Sequence, residues 1–155
     1  MKSVKFDKID KMLLSMLQRD SRQSLNVLAD RAGLSTSACH RRIKLLEEAG
    51  AILGYEAILD RHVIGYPMEF FVEVSLTRLS EGELEEFEKA VEAIPEILQC
   101  HLMSGQADYM LRIAARSTRH YEEIHRERLA RLPNVARIQS SLALRTVKAW
   151  TGYPV

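Results

Sequence analysis

The stretch Leu28-Ala29-Asp30-Arg31-Ala32-Gly33-Leu34-Ser35-Thr36-Ser37-Ala38-Cys39-His40-Arg41-Arg42-Ile43 decides how the first third of this chain folds. Leu28 and Ala29 sit on the inner face of a short helix, and Gly33 supplies the left-handed residue of a tight turn. Ser35 or Thr36 then caps a second helix. Cys39, Ile43 and Leu46 recur along it at i, i+4 and i+7, which makes one buried stripe. Ser37, His40, Arg41 and Lys44 fall on the opposite face, with Thr36 at the tip. Two helices meeting at a glycine, the second basic on its outer flank, have the layout of a helix-turn-helix, whose second helix enters the major groove of DNA. Thr36, Ser37, His40, Arg41, Arg42 and Lys44 are the candidate DNA contacts. Arginines suit guanine edges, while hydroxyls and lysine suit the phosphate backbone.

Upstream, Ile9, Leu13, Met16 and Leu17 predict an amphipathic helix from about Asp7 to Gln18. Ser24 predicts the cap of a helix over 25–32, and the helix after Gly33 runs to about Ala49, where Gly50 stops it. Ala51 to Leu59 is apolar enough to predict a connecting strand. Asp60-Arg61-His62 and Gly65-Tyr66-Pro67 mark the passage to a second unit.

That second unit reads βαββαβ. Glu69–Leu76 predicts a strand, and Ser80 caps a helix bearing Leu84, Phe87, Val91 and Ile94 that Pro95 closes. Ile97–Met103 and Tyr109–Ala115 are strands flanking a loop, Ser104 to Asp108. Ser117 or Thr118 caps a helix bearing Tyr121, Ile124 and Leu129, and Val135 to about Lys148 predicts a long last strand. The fold class is α+β: an N-terminal helix-turn-helix domain of winged-helix type over 1–50, a connecting strand and linker over 51–66, and a ferredoxin-like domain over 67–155. Helices on one sheet face leave the other open. Apolar residues such as Phe71, Ala143 and Leu144 on both sides of the alternation point to a second copy covering it.

Composition is that of a soluble globular chain, 155 residues with a net charge of +1. Residues 1–59 carry ten Lys/Arg against seven Asp/Glu, whereas residues 60–155 carry twelve against fourteen, so the cationic excess lies on the DNA-facing side. No apolar run reaches the roughly 18 residues of a membrane span, and Met1 to Lys8 lacks a signal-type apolar core, so the cytoplasm is the expected location. Cys39 and Cys100 read as reduced, packed thiols. His101, and the pair His120 and His125, lack the i, i+4 spacing of a zinc site, so no metal is expected. No activated nucleophile, carboxylate pair or phosphate-cradling glycine loop is present, and neither an enzyme nor a cofactor is expected.

The residues also carry a family resemblance. Phe6-Asp7-Lys8-Ile9-Asp10 with Leu17-Gln18-Arg19-Asp20, Gly33-Leu34-Ser35, Cys39, Leu46-Glu47 and Gly50 resemble the opening of the leucine-responsive regulatory protein/AsnC family of transcription regulators. Gly54-Tyr55, Phe71-Val72-Glu73-Val74, Cys100-His101-Leu102, Gly105, Asp108-Tyr109 and Leu132-Pro133 continue the match in one register. The resemblance implies a regulator of double-stranded DNA whose ferredoxin-like domain forms homodimers that assemble into octamers. It also implies a small effector, commonly an amino acid, held largely by the loop between the second and third strands. On this chain the effector residues are then Leu102, Met103, Gly105, Gln106, Ala107 and Asp108. Amides around Gly105 suit a carboxylate, and Asp108 suits either an ammonium or neighbouring backbone amides.

Two departures stand out. Gln106 and Ala107 replace an acidic and an aromatic residue frequent in relatives, so leucine does not follow as the effector. Prolines frequent around Thr36 and Ala38 are absent. The competing expectation is an amino-acid-binding or scaffold protein of the same fold without DNA activity.

Overall fold

A computed structural model describes residues 5–155. Met1–Val4, part of the segment read above for a signal, lie outside the described residues. The chain divides into two compact units, one comprising residues up to Ile58 together with Lys148–Val155, the other Leu59–Val147.

The first unit is a three-helix bundle. Helix α1 is Lys8–Arg19, α2 is Leu25–Ala32 and α3 is Thr36–Glu48. Each start is fixed by a side chain that satisfies otherwise orphaned amides. Asp7 accepts from the amides of Ile9 and Asp10, Ser24 from Val27, and Ser35 from Ala38. Gly33 ends α2 at φ +67, a conformation that glycine adopts without Cβ strain. Leu13, Leu14, Leu28, Ala29, Cys39, Ile43 and Leu46 form the buried centre, so the stripe read from sequence is the packing face of α3.

No strand forms between Ala51 and Pro67, which corrects the predicted connecting strand. Leu53 and Ile58 are 96% and 93% exposed. Apolar, extended chain becomes a strand only when another strand takes its amides and carbonyls, and none among the described residues does.

The C-terminal segment belongs with this first unit, although the sequence division assigned residues to 155 to the second. The Tyr153 amide donates to Gln18 Oε1 at 2.6 Å, and Gln18 Nε2 donates back to the Tyr153 carbonyl at 3.1 Å. Gly152 sits at φ +97 against the Gln18 side chain.

The second unit comprises β1 (Met68–Leu76), α4 (Glu81–Glu92), β2 (Ile97–Leu102), β3 (Tyr109–Ala115), α5 (Thr118–Glu127), a 3-10 turn over Leu129–Arg131, and β4 (Val135–Leu142). The sheet order is β2-β3-β1-β4, antiparallel throughout, which is the ferredoxin-like arrangement. Phe70, Val72, Val74, Tyr109, Leu111 and Ile113 face Phe87, Val91, Tyr121 and Ile124 of the two helices in one core.

Two expectations need correction here. β4 stops at Leu142, with only the Ala143 amide still bonding to the Glu69 carbonyl. Its pairing with β1 ends at Leu142 opposite Phe70, and past the Ala143 bond the chain leaves β1, so that Leu144 is 90% exposed. The open sheet face is also more polar than expected. The cross-strand register places Glu73, Ser75, Arg112, Arg137, Gln139 and Ser141 there beside Phe71 and Met110. Glu69, 6% exposed on this face, is neutralised by Arg112 and by Arg61 at 3.5 Å.

Candidate nucleic-acid interface and effector site

The hydroxyl cap at Ser35 and the buried stripe Cys39, Ile43 and Leu46 fix how α3 is rolled about its axis. Thr36, Ser37, His40, Arg41 and Lys44 are consequently exposed on one side. Arg41 has no ion pair among the described residues, and Lys44 makes only a loose i, i+4 contact with Glu48 at 3.7 Å. At the tip, the Thr36 hydroxyl donates to Asn26 Oδ1 of α2 at 3.1 Å, and the hydroxyls of Ser35 and Ser37 lie 3.2 Å apart. The flank offers cations and hydroxyls, groups that suit phosphates and base edges.

Arg42 is placed differently. Its Nη1 donates to Asp7 Oδ2 and to Asp10 Oδ1, both at 2.7 Å. Asp7 and Asp10 also cap each other's amides at the start of α1, so one guanidinium locks two helices. The Asp10 amide and the Arg42 guanidinium together hold the Asp7 carboxyl below its usual range. The two carboxylates raise the Arg42 pKa, Asp7 more than Asp10. A side chain so engaged braces the bundle. Beside it, Lys5, Phe6, Asp10, Arg41, Arg42, Leu45, Leu46 and Ala49 line a shallow hollow of about 290 Å³.

In the second unit the β2–β3 loop is closed by the Met103 amide donating to the Asp108 carbonyl at 2.8 Å. Asp108 then joins the loop to β1. Its amide donates to the Val74 carbonyl at 3.0 Å, and its Oδ2 accepts from the Leu76 amide at 2.8 Å, where the β1–β4 register slips. One Asp108 oxygen is therefore occupied by a backbone amide, though one of β1 rather than of its own loop. Gly105 is exposed, and a Cβ there would meet nothing within 4 Å.

Of the six loop residues singled out from sequence, Gln106 and Ala107 line a hollow of about 260 Å³ on the open sheet face. Leu102 and Met103 are largely exposed, and they, Gly105 and Asp108 are not in its wall. The remaining wall is Glu73, Ser75, Arg137 and Gln139, which sequence reasoning missed. Their polar i, i+2 spacing on β1 and β4 was the available signal. Pairing Glu73 with Gln139 and Ser75 with Arg137 brings a carboxylate and a guanidinium to one surface 64 residues apart in sequence. Arg137 Nη2 donates to Gln139 Oε1 at 2.8 Å, which steadies the guanidinium.

A winged helix-turn-helix DNA-binding family matches residues 6–52, and the Lrp/AsnC ligand-binding domain matches residues 69–152. The chain belongs to the Lrp/AsnC family of transcriptional regulators. It is similar to an uncharacterised helix-turn-helix regulator of Sinorhizobium fredii, 46% identical over 117 residues, covering 76% of this chain and 92% of that protein. Against the leucine-responsive regulatory protein of Escherichia coli identity is 37% over 142 residues, covering 92% and 87%. A transcriptional regulator of Neisseria meningitidis crystallised with L-methionine superposes with a TM-score of 0.92 at 31% identity, covering 97% of each chain. The Lrp/AsnC chain described here is accordingly a helix-turn-helix transcriptional regulator with a ligand-binding domain. Its family consists of regulators rather than enzymes. Among the described residues no helix is long and apolar enough to cross a membrane.

Proposed function

We propose that this regulator reads operator DNA with the exposed flank of α3 and changes its DNA affinity or assembly when an amino acid binds the second unit. Thr36, Ser37, His40, Arg41 and Lys44 make the DNA contacts, and Arg42 braces the helix that carries them. The effector lies in the hollow walled by Gln106 and Ala107. Arg137 takes the α-carboxylate as a charge-assisted pair and Glu73 takes the α-ammonium. The opposed charges of Glu73 and Arg137 at one small hollow carry this reading. The methionine complex of the Neisseria relative and the names of the leucine-responsive relatives support an amino acid as the ligand class. Gly105 and Asp108 shape the loop, with Leu102 and Met103 at its base.

The working form is a homodimer or a larger ring of dimers, acting in the cytoplasm. Exposed Leu53, Ile58 and Leu59, and Phe71 on the open sheet face, support a second copy as their cover. Effector binding shifts the assembly only by its differential affinity for the two arrangements.

A thermal-shift screen of the twenty amino acids, with sizing and operator binding repeated in the presence of any hit, tests the reading. A true effector stabilises by about 2.7 kcal/mol at a hundredfold excess over its Kd, and Arg137→Ala abolishes that gain. A hit whose stabilisation survives Arg137→Ala removes the hollow as its site.

A further inference from the structure

The Thr36 hydroxyl owns one proton, and the structure directs it to Asn26 Oδ1 at 3.1 Å. Both residues are exposed, one opening α3 and the other in the first turn of α2. With its proton committed, Thr36 Oγ1 faces outward with lone pairs only. Asn26, exposed and with its carbonyl accepting from Thr36, keeps both amide hydrogens without a partner among the described residues.

We infer that Asn26 is a positioning residue for base selection: it fixes the polarity of Thr36 so that this hydroxyl accepts and does not donate. The inference rests on the proposed reading of DNA by α3. In the major groove, adenine N6 and cytosine N4 are the donors, whereas guanine O6 and N7 and thymine O4 are acceptors. An acceptor-only hydroxyl at the helix tip therefore favours an adenine or cytosine at the base it meets. Phosphate oxygens, which also only accept, are disfavoured partners for Thr36. The Asn26 amide group suits them instead, so the pair divides labour between base and backbone. The neighbouring Ser35 and Ser37 hydroxyls are tied to each other, so Thr36 is not recruited by the cap.

Selection of binding sites from a randomised DNA pool by the full-length protein tests this, with Asn26→Ala, Asn26→Asp and Thr36→Val run in parallel. The wild type is expected to enrich adenine or cytosine at one position of each half-site. Asn26→Ala frees the hydroxyl to rotate and flattens the preference there by threefold to tenfold, roughly the worth of one neutral hydrogen bond. The melting temperature and the other positions of the site stay unchanged. Thr36→Val flattens the same position. Asn26→Asp keeps the acceptor and the base preference but loses the phosphate donors, so it binds more weakly at every sequence. An enriched wild-type site that Asn26→Ala leaves unaltered overturns the inference alone. A wild-type selection that enriches nothing overturns it together with the proposed reading of DNA.

Discussion

The Arg42 guanidinium lies 2.7 Å from the Asp10 carboxylate and ties the middle of α3 to the first turn of α1. A cation that spends its charge internally is expected to set the angle of its helix rather than to meet phosphate. Arg42→Ala is expected to lower the melting temperature while leaving the salt dependence of DNA binding as in the wild type. Calorimetry and a salt titration on the same variant check both halves.

The same network predicts a direction with pH. Asp7 is held below its usual range, first by the Asp10 amide and then by Arg42. Its folded value is thus lower than its unfolded value of about 3.9. The stabilisation is complete above the unfolded value and fades as pH falls through the folded one. Urea unfolding of wild type and Asp7→Asn between about pH 6 and pH 2 should show the two converging toward the acid end. A gap that widens with acidity contradicts the assignment.

Gly152 and Gln18 hold the C-terminal segment on α1. A Cβ on Gly152 would overlap the Gln18 carboxamide, and the residue's φ of +97 strains any side chain. Gly152→Val is expected to release the clasp and expose Tyr153 further. Limited proteolysis should then cut after Lys148 faster than in the wild type, and Gln18→Ala should reproduce the effect. Equal cutting rates in all three proteins would remove the clasp as a constraint.

Burial, and then the Glu88 carboxylate, pushes the Cys100 thiol up to about 11, and burial raises Cys39 as well. Alkylation needs the thiolate. Near neutral pH iodoacetamide should leave both cysteines of the native protein unmodified and label both in urea, as mass spectrometry reads directly.

What was legible in the sequence was local. Ser24 and Gly33 bound α2 at Leu25–Ala32, and the aromatic and β-branched run from Phe70 to Val74 marks β1 at Met68–Leu76, because caps and strand propensity act over a few residues. Ala51 to Leu59 misled because strand formation needs a partner, which the described residues do not supply. The last strand was drawn too long because its end is set by where pairing with another strand stops, at Leu142 opposite Phe70. Arg42 looked like its neighbour Arg41. One step of 100° around the helix separates a residue facing Asp7 and Asp10 from one facing outward. Glu73 with Arg137, Asp108 with Leu76, and Gln18 with Tyr153 are long-range meetings that no local pattern encodes.

The most direct measurement is a fluorescence anisotropy titration of the protein on the DNA upstream of its own gene, repeated over a range of salt concentrations. Affinity is expected to fall linearly on a log–log plot, Lys44→Ala reducing the slope by about 1 and Arg42→Ala leaving it unchanged. Binding that ignores salt, or a slope that Lys44→Ala does not alter, contradicts the placement of the α3 flank on DNA.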